Sequence, residues 1–378
     1  MDEKEIIAEL KDQHIDLVSA IPCDKAKGLF FRLPEEFRHI GLTREEDGVG
    51  ISAGAYLAGA RPLVALQSSG IGNMLNAILS LSGAFRLPLP ILASWRGGAS
   101  EAIPAQIPFN RPLPGILEAA GIPCTIVSGK KAAHEIGCAI HSAYKNSTAH
   151  VILIPQDFFE GTACSGPQVS CRPGSPRPLS ACYEREWRSP VMTRADAINS
   201  IAQYVEDELV VSNIGVPSKE LYSARDRPEN FYMLGSYTQA SSIGLGIAVA
   251  KPERQVIVLD GDGSLLGSSV LPVIGATAPK NLTIIGLDNG VFGSTGNQPR
   301  PGCDTADLRL MAMAAGFEQT WAVHEQWELE KAVKASAGKG PAFIHARILP
   351  GNSDAKNIPM NPLEIRDRFI SALKKCGP

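Results

Sequence analysis

The stretch "VIVLDGDGSLL" (256–266) decides how this chain is read. A strand-like apolar run ends in two aspartates separated by one glycine. Carboxylates at the buried end of a strand are costly unless something pairs with them. Gly261 and Gly263 flank Asp262 and let the backbone turn sharply and approach a ligand without Cβ interference. Ser264 is placed to cap a helix over 265–275, whose first amides would face an anion. A second stretch, "IIGLDNG" (284–290), repeats the pattern of an apolar strand with a polar tip. Twenty-five residues lie between Gly263 and Asn289, a crossover long enough to return the chain to a neighbouring parallel strand. Asp262 and Asn289 would then emerge side by side. A carboxylate, an amide oxygen and a backbone carbonyl are hard oxygen ligands that suit Mg2+, which completes its octahedron with water and phosphate oxygens. The spacing predicts a magnesium-bound diphosphate.

Working outward, apolar β-rich runs alternate with helical patterns twice over. In the first half, strands are expected at 17–22, 62–67, 89–94, 123–128 and 150–155, with helices at 46–60 and 131–145. In the second half they are expected at 208–213, 255–260, 282–288 and 342–348, with helices at 303–316 and 325–337. The strands are continuous apolar runs, as in sheets covered on both faces. Between the halves, "CSGPQVSCRPGSPRPLSAC" (164–182) keeps no period and is dominated by proline, glycine and serine, a linker composition. The expected organisation is an N-terminal domain over 1–163, a linker over 164–190 and a C-terminal domain over 191–378. Each domain is α/β, a mainly parallel sheet with helices on both faces, and ligands gather at the strands' carboxyl ends.

The net charge of the 378 residues is −3, so no basic field argues for nucleic acid or an anionic membrane. No apolar run approaches a membrane span, and "MDEKEIIAELKDQH" reads as an amphipathic helix, not an export signal. The eight cysteines are scattered without a CxxC pair. Free thiols in a cytoplasmic, reducing compartment are expected, with no zinc site at Cys164, Cys171 and Cys182.

"GDGS", the gap and "DNG" resemble the signature of the thiamine diphosphate-dependent 2-oxoacid decarboxylases. The resemblance implies two thiamine diphosphate-binding-type domains, the first holding the pyrimidine and the second the diphosphate. It implies Mg2+ ligation by Asp262, Asn289 and the backbone oxygen of Val291, with Gly261, Gly263 and Ser264 beside the diphosphate. "LGSYTQASSIGLGIAVA" (234–250) resembles the segment that wraps the diphosphate, which brings in Gly235 and Ser236. At the position that wedges the cofactor, usually Met, Leu or Ile, this chain has Tyr237. The first half supplies the acid that the chemistry needs. A carboxyl group bonded to the pyrimidine ring promotes the tautomer that activates the cofactor, best in a dry pocket. "LTREEDGVGISAGAYLAG" (42–59) resembles the activating-glutamate segment, and Gly54, nine residues on, selects Glu45 over Glu46. The same acids also suit a helix N-terminus electrostatically. "SSGIGN" (68–73) resembles the loop over the pyrimidine, with Ser69, Gly70 and Asn73 as cofactor-binding candidates. Cofactor sites in this family lie between subunits, so a homodimer or higher homo-oligomer is implied.

There is no room for the central third domain that most relatives carry. "IPCDKAKGL" (21–29), "QSSGIGNMLNAILSL" (67–81) and "PLPILASWRGG" (88–98) are similar to the sulfopyruvate decarboxylases, here with two halves fused. The phosphonopyruvate decarboxylases are close cousins, but they carry a His after the glutamine where this chain has Ile107 following Gln106. The resemblance implies decarboxylation of 3-sulfopyruvate to sulfoacetaldehyde and CO2, a step of coenzyme M synthesis. Arg96 and Gln106 are the first substrate candidates, with Ser294 and Thr295 of "STGNQPRP" (294–301) beside them. Arg96 is equally compatible with a structural ion pair, and none of the seven histidines is singled out as proton donor. Phosphonopyruvate decarboxylation, carboligation by the same machinery and an inactive cofactor-binding subunit remain the alternatives. A nucleotide-binding reading is weaker, because "GLGIAVA" lacks the G-x-G-x-x-G that must follow a strand.

Overall fold

The apolar runs form strands of two separate parallel sheets. The computed structural model describes residues 3–99, 101–159 and 188–375, and the chain divides into two units, Met1–Pro167 and Gln168–Pro378. Most of the expected linker, including its three cysteines, lies outside the described residues.

In the first unit, β1 (Leu17–Ala20), β2 (Arg38–Gly41), β3 (Pro62–Gln67), β4 (Leu89–Trp95), β5 (Cys124–Ile126) and β6 (Ala149–Pro155) form a sheet of order β2-β1-β3-β4-β6-β5. Every pairing in it is parallel. In the second unit, β7 (Leu209–Ser212), β8 (Asn230–Tyr232), β9 (Val256–Gly261) and β10 (Leu282–Asp288) come first in chain order. They are followed by the hairpin strands β11 (Val291–Phe292) and β12 (Gln298–Pro299), then β13 (Gln319–Val323) and β14 (Ala342–Arg347). The sheet order is β13-β14-β10-β9-β7-β8, again parallel throughout. Read from the other edge, it is the order of the first sheet, so the two units share one topology. In each, the strand order reverses between the first strand and the third, the switch point where open α/β sheets bind ligands.

The central strands were legible because both faces are covered. All seven residues of β10 are buried, as is nearly all of β3, β4, β6 and β9. The strands that periodicity missed, β2, β8 and β13, are short strands at sheet edges. β2 and β13 are only partly covered, and β8, though buried, is three residues long, too short to make an apolar run. The helix expected over 265–275 is also corrected. Two helices, Asp262–Gly267 and Val270–Thr277, occupy that region, and Gly261 stands at the N-cap of the first. Ser264 therefore lies inside a helix and caps nothing. Among the described residues no helix is long and apolar enough to cross a membrane, and Cys23, Cys124, Cys138 and Cys303 are free thiols.

Helix Ala240–Ala250 presses directly on β9, and Gly244 makes that possible, because a Cβ there would collide with the Val258 side chain. Gly244→Ala should therefore destabilise the chain by roughly 1–3 kcal/mol through overpacking, although alanine is the better helix former by about 1 kcal/mol. Urea denaturation checks this, with Val258→Ala in the same chain expected to recover most of the loss.

Candidate active site

The two aspartates of "LDGDG" do different work. Asp260, the penultimate residue of β9, is fully buried. It accepts hydrogen bonds from Ser241 Oγ (2.6 Å), Ser241 N (3.3 Å) and Gly261 N (2.9 Å). It fastens the start of helix Ala240–Ala250 to the end of β9. Burial pushes its pKa up against those hydrogen bonds. Asp262, one turn of backbone further, faces a cavity of about 200 Å3. The same cavity is lined by Gly261, Gly263, Ser264, Asn289, Val291, Ser294 and Thr295, all of which the sequence picked out. Asn213, at the end of β7, joins them across the switch point.

The loop after β10 is shaped for close approach. Gly290 has φ +69°, a conformation that favours glycine, and Asn289 Oδ1 accepts from Val291 N at 3.1 Å. The β11–β12 hairpin then folds back so that Arg300 N donates to Gly290 O at 2.9 Å. Its turn is closed by Thr295 Oγ1 donating to Gln298 Oε1 (2.7 Å) and Gln298 Nε2 donating to Thr295 O (2.9 Å).

The wrapping segment meets the cavity at one residue. Gly235 and Ser236 do not line the cavity, whereas Tyr237 does. Its hydroxyl donates to Gly263 O at 2.5 Å. Ser236 and Thr238 on either side have φ of 69° and 76°, a strained conformation for a β-branched threonine.

A buried charge network lies behind this cavity. Arg300 Nε donates to Asp262 Oδ2 at 2.5 Å and its Nη2 to Asp288 Oδ1 at 3.1 Å, with the Arg300 side chain 1% exposed. His345 Nε2 meets Asp288 Oδ2 at 2.8 Å, and His345 Nδ1 lies 3.7 Å from Asp307. Burial opposes the charged forms of Asp288 and His345. Their mutual hydrogen bond and the charges around them win, holding the Asp288 carboxyl low and pushing the His345 imidazole up. Asp262 is pushed up, first by burial and then by the charge of Asp288. Sequence reasoning quoted Arg300 within "STGNQPRP" but gave it no role. A lone arginine between two prolines carries no periodic signal, and its partners are set by where the hairpin returns.

In the first unit, Glu45 is the first residue of helix Glu45–Leu57, which follows β2. Asn73 Nδ2 donates to Glu45 Oε2 at 2.9 Å. Gly70 packs against the same carboxyl, where a Cβ would lie 2.6 Å from Oε1. Three of the expected residues thus meet in one place. Ser69 Oγ donates instead to Gln106 Oε1 at 2.5 Å, and Gln67 Nε2 donates to Ser69 Oγ at 2.9 Å.

Arg96 is an ion pair. Its Nε donates to Glu101 Oε2 at 2.5 Å, its Nη2 to Glu101 Oε1 at 3.3 Å, and its Nη1 to Asp24 at 2.8 Å and Gln67 Oε1 at 3.2 Å. Both Arg96 and Glu101 side chains are 2% exposed. Of the two readings that the sequence left open for Arg96, the geometry is that of the structural pair. Its guanidinium hydrogen bond brings the Glu101 carboxyl down to about 2, against the opposing effect of burial. Beside this pair lies a hydrogen-bonded set of neutral donors and acceptors: Gln67, Ser69, Gln106 and the buried Asn110, whose amide donates to Ser69 Oγ and to Gln106 O.

The comparisons with known proteins agree with this layout. Residues 3–106 match the N-terminal TPP binding domain of thiamine pyrophosphate enzymes, and residues 214–346 match the C-terminal TPP binding domain. The chain belongs to the thiamine pyrophosphate enzyme family. It is 44% identical, over 98% of its own length and 97% of the relative's, to a sulfopyruvate decarboxylase of Methanosarcina acetivorans. It is 33% identical to a phosphonopyruvate decarboxylase of Streptomyces viridochromogenes, over 97% of this chain and 93% of that one. A crystal structure of a thiamin diphosphate-dependent enzyme from Mycobacterium smegmatis superposes with a TM-score of 0.71. That match covers 93% of this chain and 99% of that one, at 13% identity, and so speaks for the fold.

The Arg96–Glu101 pair sets an acid limit on stability. The Glu101 carboxyl falls from 4.5 to about 2 on folding. Its contribution is complete above the unfolded value and is lost as pH falls through the folded one. Urea denaturation of the full chain between pH 5 and pH 2, about the range those two values span, should show stability falling more steeply in the parent than in Glu101→Gln. At neutral pH the same variant should be weaker by roughly 3–5 kcal/mol, because Arg96 loses its buried countercharge.

Proposed function

We propose that this chain decarboxylates 3-sulfopyruvate to sulfoacetaldehyde and CO2 in the cytoplasm, using thiamine diphosphate and Mg2+, as a step of coenzyme M synthesis. The observation that carries the proposal is the 44% identity over nearly the whole length to a sulfopyruvate decarboxylase, in a chain that keeps residues for both halves of a cofactor site. The fit of the second unit supports it. A Cβ on Gly263 would lie 2.9 Å from the Phe292 ring, so the cradle has no spare room at that point. Ser264 lines the cavity with its Oγ buried beside Asp260. In this reading Ser264 and the backbone of Gly261 and Gly263 hold the diphosphate. Asp262, Asn289 and the carbonyl of Val291 offer one carboxylate and two neutral oxygens to Mg2+.

When bound, the cofactor's thiazolium supplies the electron sink that makes loss of CO2 from a 2-oxoacid feasible. When the cofactor is bound, Glu45 would be the carboxyl that meets the pyrimidine and promotes its active tautomer. Asn73 fixes its carboxyl, and Gly70 lets the loop close on it without intervening side-chain bulk. Gln106 and Ser69 on the first unit, and Ser294 and Thr295 on the second, bind and orient the substrate. Arg96 acts behind them by fixing Gln67, its charge cancelled by Glu101 and Asp24.

That neutral donor set supports sulfonate over phosphonate. A sulfonate carries one negative charge at neutral pH, whereas a phosphonate takes on a second and calls for an uncompensated cation. The phosphonopyruvate reading stays the alternative because of the 33% identity to such an enzyme. As the family resemblance implies, the working form in this reading is a homodimer or larger homo-oligomer.

CO2 release from sulfopyruvate and from phosphonopyruvate, with thiamine diphosphate and Mg2+ present, tests the assignment. Sulfopyruvate should turn over faster, and Glu45→Gln should lower its rate by about 100-fold or more, the scale of a lost acid–base group. Faster turnover of phosphonopyruvate would overturn the substrate and leave the cofactor reading standing.

A further inference from the structure

The cation that sits between Asp262 and Asp288 is part of the protein. Arg300 reaches both carboxylates with different nitrogens, and its side chain is 1% exposed. Its position is built in by the chain. The β11–β12 hairpin returns it to Gly290, Pro299 and Pro301 restrict the backbone on either side, and its Nη1 donates to Pro301 O at 3.0 Å. Asp288 is already heavily engaged. It accepts from Arg300, from Gly290 N at 3.1 Å and from His345 at 2.8 Å. Among the described residues Arg300 is the one cation that bridges the two buried carboxylates. The guanidinium thus does at Asp262 the electrostatic work that a divalent ion would do there.

We propose that Arg300 is the resident counter-cation of the metal site. It holds Asp262 and Asp288 in place before loading, and its charge makes the site a poor binder of a divalent cation by itself. The cation enters as a partner of the diphosphate, whose negative charge offsets the guanidinium. Free metal and free cofactor then load together. This inference rests on the metal reading of Asp262, Asn289 and Val291 given above, and it adds a residue that sets the order and the strength of loading.

Mn2+ binding to the full chain, followed by the electron paramagnetic resonance signal of free Mn2+, tests it with and without thiamine diphosphate. The parent should bind Mn2+ weakly alone and tightly with the cofactor. Arg300→Met should bind Mn2+ without cofactor about ten-fold or more tighter than the parent, since a full charge beside the ligand is gone. Arg300→Lys, which keeps the charge, should behave like the parent. An Arg300→Met chain that folds only when Mn2+ is added supports the inference, and one that stays unfolded with Mn2+ present overturns it. Equal or weaker binding by folded Arg300→Met would also overturn it, because an arginine that merely orients Asp262 would lower affinity when lost. If the parent takes up no Mn2+ even with thiamine diphosphate, the metal reading falls and this inference with it. Uptake by the parent with no gain in the variant removes this inference alone.

Discussion

A charge placed at the buried carboxyl end of a parallel strand must be paired, and both sites follow from that constraint. In the first unit the tip of β4 leads into Arg96, whose guanidinium is closed off by Glu101 and Asp24. In the second, the tips of β9 and β10 carry Asp262 and Asp288, which share Arg300. Unpaired, any of these groups would cost several kcal/mol. Paired, they hold the neighbouring loops fixed. Gln67 is held by Arg96, and the hairpin after Asn289 is held by Arg300.

The two units use one topology for two kinds of chemistry. The third strand of each sheet, β3 or β9, ends at the switch point. β3 ends on Gln67 and is followed by Ser68 and Ser69, whereas β9 ends on Gly261 and is followed by Asp262 and Gly263. Neutral hydrogen-bonding groups suit a heteroaromatic ring or a singly charged oxoacid. A carboxylate between glycines suits a metal and phosphate oxygens, since the backbone can approach closely. Gly70 and Gly263 show the same economy of bulk, the one against the Glu45 carboxyl and the other against Phe292.

The conformation stored beside the second site has a local cause. Ser236 and Thr238 hold positive φ around Tyr237, whose hydroxyl is anchored on Gly263 O. Strain of this kind persists where the surroundings over-determine it. Here the buried hydrogen bonds of Ser241 to Asp260 fix the helix that follows.

What the sequence determined by itself is whatever short-range pattern can carry. Continuous apolar runs marked the central strands because burial on both faces leaves no polar alternation. The glycine-flanked Asp262 and the spacing to Asn289 marked the cavity, because a strand tip and a crossover length are local properties. Glu45 was picked out by a family spacing to Gly54. The edge strands β2, β8 and β13 were not legible, since β2 and β13 are only partly covered and β8 is three residues long. Nor could the sequence divide the labour between Asp260 and Asp262, or choose the ion pair for Arg96, or give Arg300 any part. Each of those depends on which side chains from distant strands and loops meet in space. Ser241, Glu101 and Asp288 were decided by the tertiary structure, because the partner of a buried charge is a long-range contact.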